Sequence, residues 1–116
     1  MSEQLAQLRK NGVSGTFGKM KSGVVYQTTS GVSTFIDCGF RPKYILLTWS
    51  SNFNYSMRYN ADQDPNNVLM FNGSWYKNAL PNSEGTRINS ISDTGFTFKL
   101  NYANVTYYYV AATDEI

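Results

Sequence analysis

Hydrophobic and polar residues alternate along the last quarter of the chain. Phe96 and Phe98 alternate with polar residues in one run, and Tyr107 and Tyr109 do so in the next, after a turn at residues 101–104. A period of two is typical of strands with one buried face. We predict that these four rings point inward, that Tyr108 points outward, and that the two runs pair as a hairpin closing a β-sandwich.

Short β-strands are predicted along almost the whole chain from residue 13 onward. Residues 43–49 are the most hydrophobic stretch and are predicted as the central strand, and Asn72-Gly73 is the strongest hairpin signal. The other strands predicted before the final hairpin are at residues 14–20, 23–28, 32–38, 54–60, 68–71, 75–77 and 86–91. About eight to nine short strands with frequent turns indicate an all-β antiparallel β-sandwich.

A short N-terminal helix is predicted at residues 1–12, before the sandwich at residues 13–116. Met1, Leu5 and Leu8 are spaced by four and three residues, which gives one narrow apolar stripe. About two turns of helix are not stable alone in water. The helix either folds back on its own sandwich, clusters around a threefold axis, or docks on another protein. We favour the last two, in which these three residues contact partner chains.

Composition excludes several classes of function. A chain of 116 residues forms one domain, and 16% charged residues with a formal net charge of +2 leave no basic stripe for nucleic acid. The N-terminal residues are polar where a signal peptide is apolar, and no apolar run is long enough to span a bilayer. We expect a protein that is made in the cytoplasm, with no membrane and no nucleic-acid partner.

No arrangement of catalytic residues is visible in the sequence. The chain has no His and only one cysteine, Cys38, so a small, buried apolar role is predicted for that residue. Asp62 and Asp64 lie in a turn-rich loop that lacks the glycine and the bidentate acid of an EF-hand calcium loop, which favours a solvated loop. We predict no enzymatic activity, no metal and no cofactor.

Aromatic and amide residues occur together in the middle of the chain. Rings beside amides suit a sugar, because the C–H face of a sugar stacks on a ring while amides bond its hydroxyls. Burial in the core is the other explanation for most of these rings. The candidate glycan-binding residues are Trp49, Asn52, Tyr55, Trp75 and Tyr76.

Two motifs carry a resemblance to a known group of proteins. They are Gly39-Phe40-Arg41-Pro42-Lys43, followed by the apolar run at 44–47, and Tyr107-Tyr108-Tyr109-Val110-Ala111 near the end. In this order, over residues 31–112, the chain resembles small β-sandwich modules of bacteriophage virion proteins. Those modules are similar in plan to H-type lectins, form trimers, and occur at tail-fibre tips, on baseplates and as head fibres or capsid decoration.

The resemblance implies a non-enzymatic structural protein located in the virion. It implies a homotrimer that contacts other virion proteins of the capsid, tail or baseplate. The sequence given has no fibre shaft or large adaptor domain before the sandwich, so we expect a small subunit attached through residues 1–12. The alternative is a lectin-like module that binds a cell-surface polysaccharide of the host.

Overall fold

The structure is a computed structural model that describes residues 18–50, 54–71, 74–81 and 86–114. Within these residues the strands are β1 (Met20–Gln27), β2 (Val32–Asp37), β3 (Tyr44–Ser50), β4 (Asn54–Asn60), β5 (Asn67–Phe71), β6 (Trp75–Ala79), β7 (Arg87–Ser92), β8 (Gly95–Leu100) and β9 (Val105–Ala112). The described part of the chain contains no helix. The helix predicted at residues 1–12 lies outside it.

The strands form two antiparallel sheets. The larger sheet has six strands in the order β1-β9-β3-β4-β5-β6, and the smaller has three in the order β2-β8-β7. Strand β3 pairs with β9 on one side and β4 on the other, which confirms its predicted central position. Strands β5 and β6 pair with each other, as the Asn72-Gly73 signal predicts, although those two residues lie outside the described ranges.

The core lies between the two sheets and follows the alternation in sequence. Phe98 of β8 meets Tyr107 of β9 edge to face with ring centroids 4.6 Å apart, and Phe96 meets Tyr109 in the same way at 6.0 Å. All four rings are buried while Tyr108 is exposed, so their predicted orientations are confirmed. The other buried hydrophobic residues of this cluster are Ile36, Ile45, Leu47, Trp49, Met57, Tyr59, Val68, Met70, Ile88, Leu100, Val105 and Ala111.

The predicted hairpin of the last two strands is wrong. Strand β8 belongs to the small sheet and β9 to the large one, so the strands face each other through side chains and do not pair through backbones. Buried Gln27 holds the connection between them, because its Nε2 donates to the carbonyl oxygens of Leu100 and Tyr102 at 2.7 and 2.8 Å. Asn104 completes the turn with a φ of 57°. The chain therefore crosses from one sheet to the other at residues 101–104.

The break predicted between strands at residues 14–20 and 23–28 is also wrong. Within the described residues one strand, β1, runs through residues 21 and 22 and pairs with β9 at all eight of its positions, whereas residues 14–17 lie outside the described ranges. Gly23 lies inside this strand and does not interrupt it. The ring of Tyr109 fills the space beside Gly23, where a Cβ would lie 2.6 Å from the Tyr109 hydroxyl. Close approach to a ring, and not a turn, explains this glycine.

Candidate binding surface on the six-stranded sheet

The outer face of the large sheet, which points away from the small sheet, carries a row of side chains across all six strands. In register order the row is Val24, Tyr108, Thr48, Ser56, Phe71 and Trp75. Val24, Tyr108 and Trp75 are 62%, 49% and 54% exposed. Scattered exposed hydrophobic residues are ordinary, whereas neighbouring ones mark sites of interaction. The outer face is therefore the first candidate for binding.

One part of this face lies on β1 and β9, and we call it the β1–β9 patch. It consists of Met20, Val24, Tyr26 and Tyr108, all of them exposed. The outward positions of these two strands carry no charge, because Lys21 is an inward position of β1 and its Nζ donates to the carbonyl oxygen of Asp37. The patch ends at β1, the edge strand of the sheet. An outward face at a sheet edge that carries exposed hydrophobic residues and no charge favours contact with another chain.

The chain enters the β1–β9 patch from its N-terminal segment. Gly18 N donates to the carboxylate of Asp114, Lys19 N donates to Thr113 Oγ1 at 2.7 Å, and Thr113 N donates to the carbonyl oxygen of Lys19 at 2.9 Å. These bonds fix the start of β1 beside the end of β9. Met1, Leu5 and Leu8, the predicted partner contacts, lie outside the described residues, in the segment that leads to this point.

A second row on the same face contains charge. In register order it is Ser22, Val110, Leu46, Arg58, Leu69 and Lys77. Two adjoining hollows open along it, one of about 490 Å³ and one of about 240 Å³. Arg58, Asn60 and Gln63 line both of them. Small-molecule sites commonly have volumes of about 300–1,000 Å³.

The loop after β4 forms the polar end of these hollows. Asn60 Oδ1 accepts hydrogen bonds from the backbone N–H groups of Asp62 and Gln63 at 3.0 and 3.2 Å, and its carbonyl oxygen accepts from Gln63 and Asp64. Asn side chains commonly bond backbone groups two residues further along in this way. The loop is thus held by its own residues, and the Asn60 side chain keeps Nδ2 as its remaining donor.

Asp64 lines the smaller hollow but is already bonded. Its carboxylate accepts from Asn67 Nδ2 at 3.0 and 3.1 Å and from Asn66 N at 3.2 Å, and Lys77 Nζ lies 3.5 Å away. The hydrogen bond from Asn67 and then those from Asn66 and Lys77 hold the pKa of Asp64 below its ordinary value. Among the described residues, Arg58 has no such carboxylate partner.

The three predicted glycan-binding residues whose side chains the structure describes, Trp49, Trp75 and Tyr76, are not brought together. Trp49 is 5% exposed and packs in the core 6.2 Å from the ring of Tyr102, so its face is not available to a sugar. Trp75 and Tyr76 are exposed on opposite faces of β6, because Trp75 pairs with outward Phe71 and Tyr76 with inward Met70. Asn52 and the side chain of Tyr55 lie outside the description. Only Trp75 is placed on the outer face.

Sequence reasoning missed the hollows around Arg58. Arg58, Gln63 and Lys77 come from different elements with no local motif, so nothing in a short window of sequence joins them. One signal was available: Arg58 is an outward position of an alternating strand whose inward neighbours are Met57 and Tyr59. A lone outward arginine identifies a surface, but its neighbours follow only from the strand register.

Cys38 and the acidic loop have no visible catalytic role. Cys38 is partly buried, and burial raises the pKa of its thiol, while the charge of Lys21 lowers that pKa and that of Asp37 raises it. A thiol held protonated is a poor nucleophile.

In the described ranges no group of three or more His, Cys, Asp or Glu side chains is placed to hold a metal ion. Nor does any helix there have the length and apolar character to cross a membrane.

Comparison with known proteins gives no matching family model, no matching curated protein and no matching solved structure.

Proposed function

We propose that this protein is a non-enzymatic surface subunit of a bacteriophage virion, belonging either to a tail fibre or baseplate or to a head fibre or capsid decoration. The resemblance of the two sequence motifs supports the virion assignment. The all-β fold of two antiparallel sheets is compatible with it. The subunit is a homotrimer, made in the bacterial cytoplasm and held on the particle by contacts with other virion proteins.

The observation that carries this proposal is the β1–β9 patch. Its four exposed side chains lie on neighbouring strands at the edge of the large sheet. A soluble monomer gains nothing from leaving them in water, since each buried apolar side chain contributes about 1.5–3 kcal/mol. A second copy of this chain covers the patch in our proposal, because the outward positions of these strands carry no charge that association would desolvate.

Residues 1–12 complete the contact. The patch covers only two strands of eight residues, about 26 Å long and about 10 Å wide. This area of roughly 250 Å² is small beside the roughly 800 Å² per partner of a stable interface. Residue 18 lies where the patch begins, and the segment with Met1, Leu5 and Leu8 precedes it in the sequence, so we propose that this segment supplies the missing apolar area. Patch and segment together form the attachment surface.

The oligomeric state of patch variants tests the proposal. The double change Val24→Ser and Tyr108→Ser should convert a trimer into a monomer in sedimentation equilibrium, with an unchanged far-UV CD spectrum. Phe35→Ser is the matched control, because Phe35 is 50% exposed but lies on β2 of the small sheet. A wild-type monomer at tens of micromolar, or equal effects of both variants, would contradict the proposal.

The N-terminal residues need a separate test. Changing Leu5 and Leu8 to Ser should leave the sheets folded and should abolish incorporation of the subunit into particles, as measured by the protein content of purified virions. If this double variant fails to fold on its own, the helix belongs to the core of its own chain. The attachment role of residues 1–12 would then be wrong.

A second candidate function is a lectin-like, glycan-binding module, favoured by the exposure of Trp75. Its ring lies 4.8 Å from that of Phe71, so a two-ring surface faces outward on β5 and β6. If the module recognises host polysaccharide there, a glycan array should show saturable binding that Trp75→Ala removes. We expect no signal from this surface alone, because Trp49 is in the core and Tyr76 is on the other face.

A further inference from the structure

We propose that the two hollows around Arg58 form a binding site for a saccharide that carries a carboxylate or a phosphate group. The hollows adjoin on the outer face of the large sheet, beside the loop at residues 61–66, and the larger one reaches Met20 of β1 and Val110 of β9. The larger hollow shares Met20 with the β1–β9 patch, but Val24, Tyr26 and Tyr108 do not line it, so the proposal does not depend on the assembly proposal.

Arg58 is the group that would bind the anion. It lies on a central strand between outward Leu46 and Leu69, and not at an edge where an arginine serves mainly to keep the sheet soluble. A guanidinium presents parallel N–H groups that match the two oxygens of a carboxylate or phosphate. Within the described residues, the acid of the smaller hollow, Asp64, is bonded to Asn67 and lies beside Lys77, so it does not neutralise Arg58.

The charges around the hollows favour a negative ligand. Arg58 and Lys77 are positive and Asp64 is negative, so the described side chains that line the hollows have an excess of one positive charge. The neighbouring carboxylate of Asp62 accepts a hydrogen bond from the hydroxyl of Tyr44, which lines the larger hollow. Lys43 Nζ lies 4.0 Å from Asp62, so the negative charge of Asp62 is already balanced by Lys43. A cationic ligand would meet Arg58 without compensation.

Amide groups would bind the hydroxyls of the same ligand. Asn60, which lines both hollows, uses Oδ1 to hold the loop and keeps Nδ2 as a donor. The amide of Gln63 lines both hollows and can donate and accept. A row of one cation and two amides matches a molecule that carries one anionic group and several hydroxyls.

Apolar walls distinguish this site from a simple anion site. Met20, Leu46 and Val110 line the larger hollow and Leu69 lines the smaller one. These side chains suit the C–H face of a sugar ring, which inorganic phosphate does not have. Trp75 is two residues from Lys77 along β6, about 7 Å away, so a longer chain of sugars would reach its ring.

Titration of the full-length protein, followed by NMR, tests this inference. The probes are galacturonic acid, galactose 6-phosphate and the uncharged galactose, with inorganic phosphate as a fourth. We expect saturable binding of at least one of the two anionic sugars at or below about 10 mM, with galactose and inorganic phosphate at least about tenfold weaker. Because the two anionic sugars share one ring, the stronger of them identifies carboxylate or phosphate as the preferred group.

Matched arginine variants show whether the site is the one proposed. Arg58→Gln should weaken binding by at least about tenfold. Arg41→Gln, which removes the same charge from an exposed side chain 3.0 Å from Asp93, should leave it unchanged. Gln63→Ala should weaken the sugar probes and leave inorganic phosphate unaffected. No binding of either anionic probe at about 10 mM, or equal losses in both arginine variants, would overturn the inference.

Discussion

The outer faces of the two sheets differ although their strands share the same alternation. On the large sheet the outward row includes Val24, Tyr108 and Trp75. On the small sheet the outward positions of β2 and β8 include Ser33, Thr97 and Lys99, with Phe35 as the exposed exception. The small sheet has the outer face of a strand pair in water. The large sheet has a composition that is typical of an interface.

Tyr76 is exposed because it lies beyond the edge of the small sheet, and not because it points outward. Tyr76 is 41% exposed although it pairs with buried Met70 on the inner face of the large sheet. It lies on β6, the edge of a sheet with six strands that packs on a sheet with only three. The difference in width leaves this position uncovered. Exposure alone therefore does not identify the binding face. Neighbouring hydrophobic residues that are both exposed and outward, such as Val24 and Tyr108, do.

The largest expected effect separates an inward ring from an outward one. Phe98→Ala should lower the free energy of unfolding by about 3–5 kcal/mol, because Phe98 is fully buried against Tyr107. Tyr108→Ala, measured at a concentration where the protein is monomeric, should cost less than about 1 kcal/mol. Urea unfolding followed by tryptophan fluorescence measures both. Equal losses would show that the outer face of the large sheet is packed within the monomer.

Two glycines sharpen the comparison inside the sheets. A Cβ on Gly95 of β8 would overlap the backbone carbonyl oxygen of Ile36, which cannot move without separating β8 from β2. A Cβ on Gly23 of β1 would instead meet the end of the Tyr109 side chain. We expect Gly95→Ala to lower stability by about 3 kcal/mol and Gly23→Ala by about 1–2 kcal/mol in urea unfolding. The reverse order would contradict this description of the sheet contacts.

The smallest expected effect concerns Asp64, beside the Arg58 hollows of the large sheet. Its hydrogen bond from Asn67 favours the carboxylate, so its pKa lies below the ordinary value. The stabilisation of the loop is present above the ordinary carboxyl pKa of about 3.9 and is lost as the pH falls through the lowered value. NMR titration of the carboxyl carbon should show this low midpoint, and Asn67→Ala should raise it. A midpoint at or above the ordinary value in the wild-type protein would contradict the bonded loop.

Alternation in the sequence predicted which face each residue occupies, but not which strand it meets. Phe98 and Tyr107 point inward as expected, yet their strands pair in different sheets. Two inward rings satisfy the same hydrophobic pattern whether their strands lie side by side or face to face. The partners that the two strands do take are distant in sequence: β8 pairs with β2 and β9 pairs with β1, and Gln27 of β1 bonds the crossing residues through its amide. A local pattern does not contain that information.

The binding surface was less predictable than the strands. Aromatic and amide residues near each other in sequence suggested one glycan site, but period-two geometry sends neighbouring Trp75 and Tyr76 to opposite faces. Conversely, Arg58 and Lys77 are distant in sequence and share one row with Leu69 between them. Sites on a sheet are assembled across strands, and their members become visible only when the register is known.

The position of β9 determines when the large sheet can form during synthesis. Strand β1 pairs only with β9 among the described strands, and β9 also covers the free side of β3. While the ribosome is still making residues 28–104, β1 has no partner and the apolar strand β3 has one unpaired edge. A nascent chain that stalls before Val105 therefore leaves one backbone edge of β3, the strand of Ile45, Leu47 and Trp49, without its partner, and an unpaired edge of an apolar strand is prone to aggregation. Release of β9 from the ribosome joins the earliest strand to the middle of the sheet in one step.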